Sequence, residues 1–196
     1  MSHYFTNEDL PSDIKEVECH VLGRRFIFLT DNGVFSKDGV DFGSQLLLES
    51  IPLNEIGKKV LDVGCGYGTL GIVVGNITNA AIDMVDVNKR AVHLTTRNIK
   101  INNGKNMNAF LSDCYENVTN KYSTIITNPP IRAGKEIVYK IVMNAKDYLE
   151  SDGSLFLVIR KEQGAKSLIK DLEKLYTTEV INKKKGFYII KCTTFS

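Results

Sequence analysis

The chain has 196 residues, of which 25 are Lys or Arg and 23 are Asp or Glu, for a formal net charge of +2. That length suits one domain with a sizeable core, and a hydrophobic content of 43% with 24% charged residues is ordinary for a globular protein. The charge is too slight to announce a nucleic-acid binder by itself, and no apolar run approaches the ~20 residues that span a bilayer. The polar start MSHYFTNEDLPSD has no apolar stretch of signal-peptide type. Cys19, Cys65, Cys114 and Cys192 show neither CxxC spacing nor a histidine at zinc-ligand spacing. They read as reduced thiols of a cytoplasmic protein. His3, His20 and His93 have no partners at useful spacing, so no metal site is expected.

In chain order, KEVECHVL and RFIFLT within 15–30 predict two strands joined at Gly23-Arg24, followed by a turn at Asp31-Asn32-Gly33. Residues 43–50 predict a short helix that breaks at Ile51-Pro52, because the residue before a proline avoids helical angles. From Lys58 the pattern alternates. KKVLDVG is a strand, with a helix near 68–76 after it; AIDMVDV is the next strand, followed by a helix over 89–102 with Asn88 as cap and Gly104 as terminator. NMNAFLSD and KYSTIITN are strands. A helix over 133–149 is expected from the stripe Ile137, Val138, Ile141, Val142, Ala145, Tyr148 and Leu149. SLFLVIR is a strand, 162–175 a helix, and YTTEVIN, KKKG and FYIIKCT a closing hairpin. Alternation of this kind predicts a Rossmann-like, doubly wound α/β sheet, mostly parallel, with an antiparallel C-terminal hairpin and a short N-terminal hairpin. Residues 1–32 are the expected N-terminal extension and 33–196 the expected main domain. In such sheets ligands bind beyond the carboxyl ends of the strands.

Three of those ends carry chemistry. The first is Asp62-Val63-Gly64-Cys65-Gly66-Tyr67-Gly68-Thr69-Leu70-Gly71. Its glycines allow backbone to turn tightly and approach a ligand, and the helix after it offers free amides. Gly66, Gly68 and Gly71 also fit the GxGxxG of dinucleotide enzymes, with Asp86 20 residues beyond Gly66. Asp62, two residues before Gly64, favours the other frame, in which it holds the loop and faces an ammonium group. Asp86, followed by Val87, ends the second strand of the alternating series, where a carboxylate can accept two ribose hydroxyls. Asp113, followed by Cys114, ends the next; it can accept an adenine amine or cap the following segment.

The most informative end is Thr127-Asn128-Pro129-Pro130-Ile131-Arg132. Two prolines remove two backbone donors and fix φ twice, and Pro129 holds Asn128 extended. The result is a rigid turn. An exocyclic base amine is a poor nucleophile because its lone pair is delocalised. The Asn128 oxygen and the Pro129 carbonyl can each accept an N–H from such an amine and orient it, which is catalysis by positioning.

These motifs resemble class I S-adenosylmethionine-dependent methyltransferases of the amine-modifying branch, from about Gly33 to Cys192. VFSKDGVDFGSQLLLE at 34–49, DVGCGYGTLG and TNPPIRAG are similar to segments of the small-subunit (16S) rRNA guanine-N2 methyltransferase family. The resemblance implies a seven-stranded sheet and S-adenosylmethionine as cofactor, bound by Asp62, Gly64, Cys65, Gly66, Gly68, Asp86, Val87, Asp113, Cys114 and Asn128. It implies a catalytic turn of Asn128, Pro129, Pro130 and Ile131, and ribosomal RNA or the small ribosomal subunit as partner. Many amine methyltransferases carry an aromatic residue where Ile131 stands, able to stack on a flipped base; Phe35 or Phe42 could supply the ring, or both could be core. Larger members of the family carry an extra N-terminal domain.

Basic residues follow strands that end on the expected cofactor side. Arg132 and Lys135 follow one strand, Arg160 and Lys161 the next, Lys183, Lys184 and Lys185 form the hairpin tip, and Lys37 precedes the glycine loop. A basic rim of this kind would attract a phosphate backbone. The NPP turn equally suits adenine N6 or a protein glutamine amide. A non-catalytic RNA-binding module and a dinucleotide oxidoreductase are the remaining alternatives, and monomer and homodimer are both open.

Overall fold

A computed structural model describes residues 10–195; His3 and most of the polar start lie outside the described residues. Strands β1 (Lys15–Val21) and β2 (Arg24–Thr30) form an antiparallel hairpin over the turn Leu22-Gly23, with φ of 51° and 74°. Cys19 and Val21 of β1 and Phe26 and Phe28 of β2 point to one face and are buried there. His20 lies on the other face and pairs with Glu18 at 2.7 Å.

The main sheet has seven strands: β3 (Lys59–Val63), β4 (Ala81–Asp86), β5 (Met107–Leu111), β6 (Tyr122–Thr127), β7 (Leu149–Arg160), β8 (Tyr176–Lys184) and β9 (Phe187–Thr194). Their order is β5-β4-β3-β6-β7-β9-β8, with β3 to β7 parallel and β9 antiparallel to both neighbours. The expected mostly parallel sheet with an antiparallel terminal hairpin is therefore present. Successive strands step one way from β3 to β5, then restart beside β3 at β6. The crevice for a ligand opens at that reversal.

Each buried strand alternates between two cores. Val60, Phe156 and Val158 face a layer made by the hairpin and helices α1 (Phe42–Ser50), α2 (Thr69–Thr78) and α3 (Lys89–Ile101). Leu61, Leu155 and Leu157 face α4 (Lys135–Asn144) and α5 (Ala165–Leu172). The hairpin is fastened by an unusual edge. Asn98 of α3 accepts from Leu29 N at 2.8 Å and donates to Leu29 O at 3.0 Å. Asn102, one turn on, does the same with Ile27 at 3.1 and 2.8 Å. Four helical residues rise about 6 Å and two strand residues about 6.6 Å, so the two side-chain amides meet alternate backbone units of β2 as a further strand would.

Two helices are shorter than expected. The helix expected over 133–149 ends at Asn144, and Leu149 begins β7. The cause is Tyr176, whose buried hydroxyl donates towards Val142 O at 2.8 Å and accepts Lys146 N at 2.8 Å, closing the helix from outside. The helix expected over 162–175 starts only at Ala165, after Gly164 at φ 90°. All four cysteines are free and buried; burial pushes the Cys192 thiol up to about 12. Among the described residues, no helix is long and apolar enough to cross a membrane, and no three His, Cys, Asp or Glu side chains cluster as a metal site would need.

Candidate active site

A cavity of about 470 Å³ opens at the carboxyl ends of β3, β4, β6 and β7, where the strand order reverses. Its floor is the loop after β3. Gly64, Gly66 and Gly68 take φ of 71°, 56° and 101°, values that a side chain would strain. Below the loop the helix must lie tight on the sheet: a Cβ on Gly71 would stand 2.5 Å from the Met84 sulfur. Asp62 is wholly buried beneath the loop and accepts Gly71 N–H through Oδ2 at 3.0 Å, while Oδ1 has no partner among the described residues. Desolvation, only partly offset by that donor, pushes its carboxyl up to about 7.

Asp86 ends β4 at the cavity wall. Its Oδ2 accepts Gly66 N–H and its Oδ1 accepts Asn88 N–H, both at 2.9 Å. Burial raises its pKa against those two donors. Asn88 caps α3 through Oδ1 and donates Nδ2 to Gly33 O at 3.2 Å. The loop over 31–40 is thus tied across the cavity, with further anchors from Tyr67 hydroxyl to Ser36 O at 3.2 Å and Arg90 to Asn32 O at 2.6 Å. It presents Phe35, which is 58% exposed at the cavity.

On the opposite wall stands the turn of Asn128, Pro129 and Pro130. Asn128 Nδ2 donates to Asp41 Oδ2 at 3.2 Å and to Ser44 Oγ at 3.0 Å. A carboxylate only accepts, so the amide cannot be turned round. Asn128 Oδ1 is left without a partner among the described residues, on a side chain that lines the cavity. Asp41 Oδ2 also accepts Ser44 N–H at 3.1 Å and so caps α1.

Of the residues singled out from sequence, Phe35, Gly64, Cys65, Gly66, Asp86, Asn128, Pro129, Pro130, Ile131, Arg132 and Arg160 line one cavity. Asp62 lies under the loop, Gly68 closes the loop at the start of α2, and Val87, Asp113 and Cys114 stand outside the lining. So do the exposed Lys37, Lys135, Lys161, Lys183, Lys184 and Lys185. The hairpin tip is narrower than expected: Lys183 and Lys184 end β8, and only Lys185 and Gly186 turn, at φ 51° and 79°. Gly186 O accepts Lys161 N–H at 2.8 Å, so the tip sits beside the carboxyl end of β7. Lys185 Nζ lies 4.9 Å from the Phe42 ring and the Arg160 guanidinium 5.1 Å from Phe187, and those two rings pack at 5.5 Å on the cavity wall.

Sequence reasoning passed over Asp41, Ser44, Tyr67, Gln163 and Phe187, all on the lining. Asp41 carried a signal: an acidic residue just before an apolar helical run is an N-cap pattern.

The methyltransferase small domain family model matches residues 25–191. The Bacillus subtilis (strain 168) protein YbxB is 41% identical over 194 residues, covering 96% of both chains. Ribosomal RNA small subunit methyltransferase C of Pseudoalteromonas translucida (strain TAC 125) is 37% identical over 150 residues, which are 74% of this chain but 43% of that protein. Among solved structures, a 16S rRNA N2 methyltransferase of T. thermophilus in complex with AdoMet and guanosine superposes with a TM-score of 0.84 at 27% identity, over 95% of this chain and 52% of that one. The glycine loop, the carboxylate that ends β4 and the NPP turn meet in one crevice, and the chain belongs to the methyltransferase small domain family of class I S-adenosylmethionine-dependent methyltransferases.

Proposed function

We propose that this chain methylates the exocyclic N2 amine of a guanine in small-subunit ribosomal RNA, in the cytoplasm. The observation that carries the reading is the fixed amide of Asn128, whose nitrogen is committed to Asp41 and Ser44. An amine has hydrogens to donate, and the side-chain atom left at the cavity is an acceptor. The names of the similar proteins, one of them solved with guanosine, support guanine over other amines.

The residues present fit the cofactor. The cavity volume of about 470 Å³ lies within the ~300–1,000 Å³ of small-molecule sites. Asp86 offers lone pairs to ribose hydroxyls, Gly64, Cys65 and Gly66 offer backbone, and Leu70 and Ala91 give an apolar wall. Asp62 holds the loop from beneath through Gly71 N–H, and Gly68 closes it at φ 101°. When bound, S-adenosylmethionine supplies an electrophilic methyl group on a sulfonium.

The chain does the rest by orientation. Asn128 Oδ1 and the Pro129 carbonyl accept the two amine hydrogens, so the nitrogen lone pair is turned out of conjugation and aimed. Neither acceptor needs a shifted pKa and no general base is required before transfer; the proton that the methylated nitrogen then sheds passes to solvent as the product leaves. Pro130 and Ile131 wall off water, while Phe35 offers a face for a flipped base to stack on. Arg132 and Arg160, with Lys185 close by, attract the phosphates on either side.

Transfer of tritiated methyl from S-adenosylmethionine to rRNA, DNA and ribosomal protein tests the reading. Label is expected in rRNA. Asn128→Ala should abolish it with cofactor affinity within about threefold, whereas Asp86→Ala should weaken cofactor binding tenfold or more, the size of one charge-assisted hydrogen bond. Label in protein alone, or equal loss of cofactor affinity in both variants, overturns it.

A further inference from the structure

We infer that Asp41 is the specificity residue of this site: one carboxylate oxygen positions Asn128, and the other reads the N1–H that distinguishes guanine from adenine. The inference rests on the guanine reading above and deepens it.

Asp41 Oδ2 is doubly used, accepting from Ser44 N and from Asn128 Nδ2. Oδ1 has no partner among the described residues, and Asp41 lines the cavity beside the NPP turn. Two open acceptors therefore stand next to each other, Asn128 Oδ1 and Asp41 Oδ1, on side chains joined by one hydrogen bond of 3.2 Å. Guanine carries donors on adjacent positions of its Watson–Crick edge, N1–H and the N2 amine. Adenine carries its amine beside an N1 lone pair, which would face a carboxylate lone pair with no proton between them. A site that leaves a polar group unpaired in the wrong complex rejects it strongly. The same carboxylate thus turns the catalytic amide and chooses the base that the amide receives.

A purely structural Asp41, acting only as helix cap and as anchor for Asn128, makes a different prediction. Asparagine caps helices as well as aspartate does, and its oxygen can still accept from Ser44 N and Asn128 Nδ2. Asp41→Asn therefore keeps both structural roles and replaces the open acceptor with an NH2 donor.

The experiment is an NMR titration of the S-adenosylhomocysteine-loaded protein with two nucleosides, guanosine and 2-aminopurine riboside. Both carry the 2-amine; only guanosine has N1–H. The wild-type protein should bind guanosine at least tenfold more tightly, as expected for one hydrogen bond to a charged acceptor. In Asp41→Asn that preference should vanish or reverse, while the melting temperature and S-adenosylhomocysteine affinity stay within error. A wild-type protein that binds the two nucleosides equally, or binds neither, overturns the inference. So does an Asp41→Asn protein that keeps the tenfold preference. If label still enters guanine of rRNA in the transfer assay, the proposed function survives either result; if it enters no guanine, both readings fall.

Discussion

Replacing Asn98 by Ala should be among the costliest single changes in the chain, although Asn98 is polar and outside the cavity lining. Its side chain is fully buried and makes three hydrogen bonds, with Leu29 N at 2.8 Å, Leu29 O at 3.0 Å and Tyr67 O at 2.7 Å. Truncation leaves one donor and two acceptors of the backbone with no water to replace the lost partner. Each such group costs about 1–3 kcal/mol, and some relaxation is expected, so the loss should be about 3–5 kcal/mol. For a domain of this size each kcal/mol lowers the melting temperature by about 2–4 °C, giving a fall of roughly 6–20 °C by calorimetry or circular dichroism. Asn102→Ala is the internal reference. Asn102 is half-buried and holds Ile27 by two bonds at 3.1 and 2.8 Å, and water can reach what it leaves, so about 1–2 kcal/mol is expected. Because Asn98 also holds the Tyr67 carbonyl of the glycine loop, its loss should weaken cofactor binding, and loss of Asn102 should not. Equal destabilisation by the two variants would refute the view that burial of the orphaned backbone groups sets the cost.

Asp62 is held near a pKa of about 7 by burial, above its ordinary 3.8. The folded state therefore binds more protons than the unfolded chain between about pH 4 and 7, and stability must fall as pH rises through that window, by up to roughly 4 kcal/mol; Asp62→Asn should flatten the profile in urea titrations, and an unchanged slope would contradict the assignment. Gly71→Ala puts a methyl 2.5 Å from the Met84 sulfur, so the buried Met84 side chain or α2 must give way; isothermal titration should show cofactor affinity weakened tenfold or more, and unaltered affinity would show that Met84 absorbs the methyl without moving the loop. Lys185 sits at φ 51° in a two-residue turn that prefers Asn-Gly. Lys185→Asn should raise stability by about 0.5–1 kcal/mol and reduce the salt dependence of rRNA binding by about one phosphate contact; an unchanged salt slope would remove Lys185 from the RNA-binding rim.

The parts legible in sequence were those fixed by local chemistry. Hydrophobic alternation, Gly-rich turns and prolines act over a few residues, so the strand order of events, the Asn88 cap and the NPP turn could all be read. Residues of the glycine loop, Asp86 and Asn128 were drawn together because each follows a parallel strand, and a parallel sheet brings such ends to one side. What escaped depends on tertiary contact. The end of α4 is set by Tyr176, 32 residues beyond Asn144 in the chain, whose phenol no helical pattern reveals. Asp41 is 87 residues from Asn128, and its pairing needs α1 to pack on β7, next to the turn that follows β6. Phe187 reaches the cavity because β9 inserts between β7 and β8, so a residue near the end of the chain meets Phe42 near its start. The lysines at the hairpin tip were identified by composition. Their division between strand and turn was set by the pairing of Lys184 with Phe187.

We propose that a proline-locked turn, with its amide held by Asp41, aims a guanine amine. The most direct test is mass-spectrometric mapping of small-subunit rRNA nucleosides from cells with the gene, without it, and with only the Asn128→Ala form. One N2-methylguanosine should be present in the first and missing from both others. An identical nucleoside map in all three, or loss of an N6-methyladenosine in place of the guanosine, would contradict it.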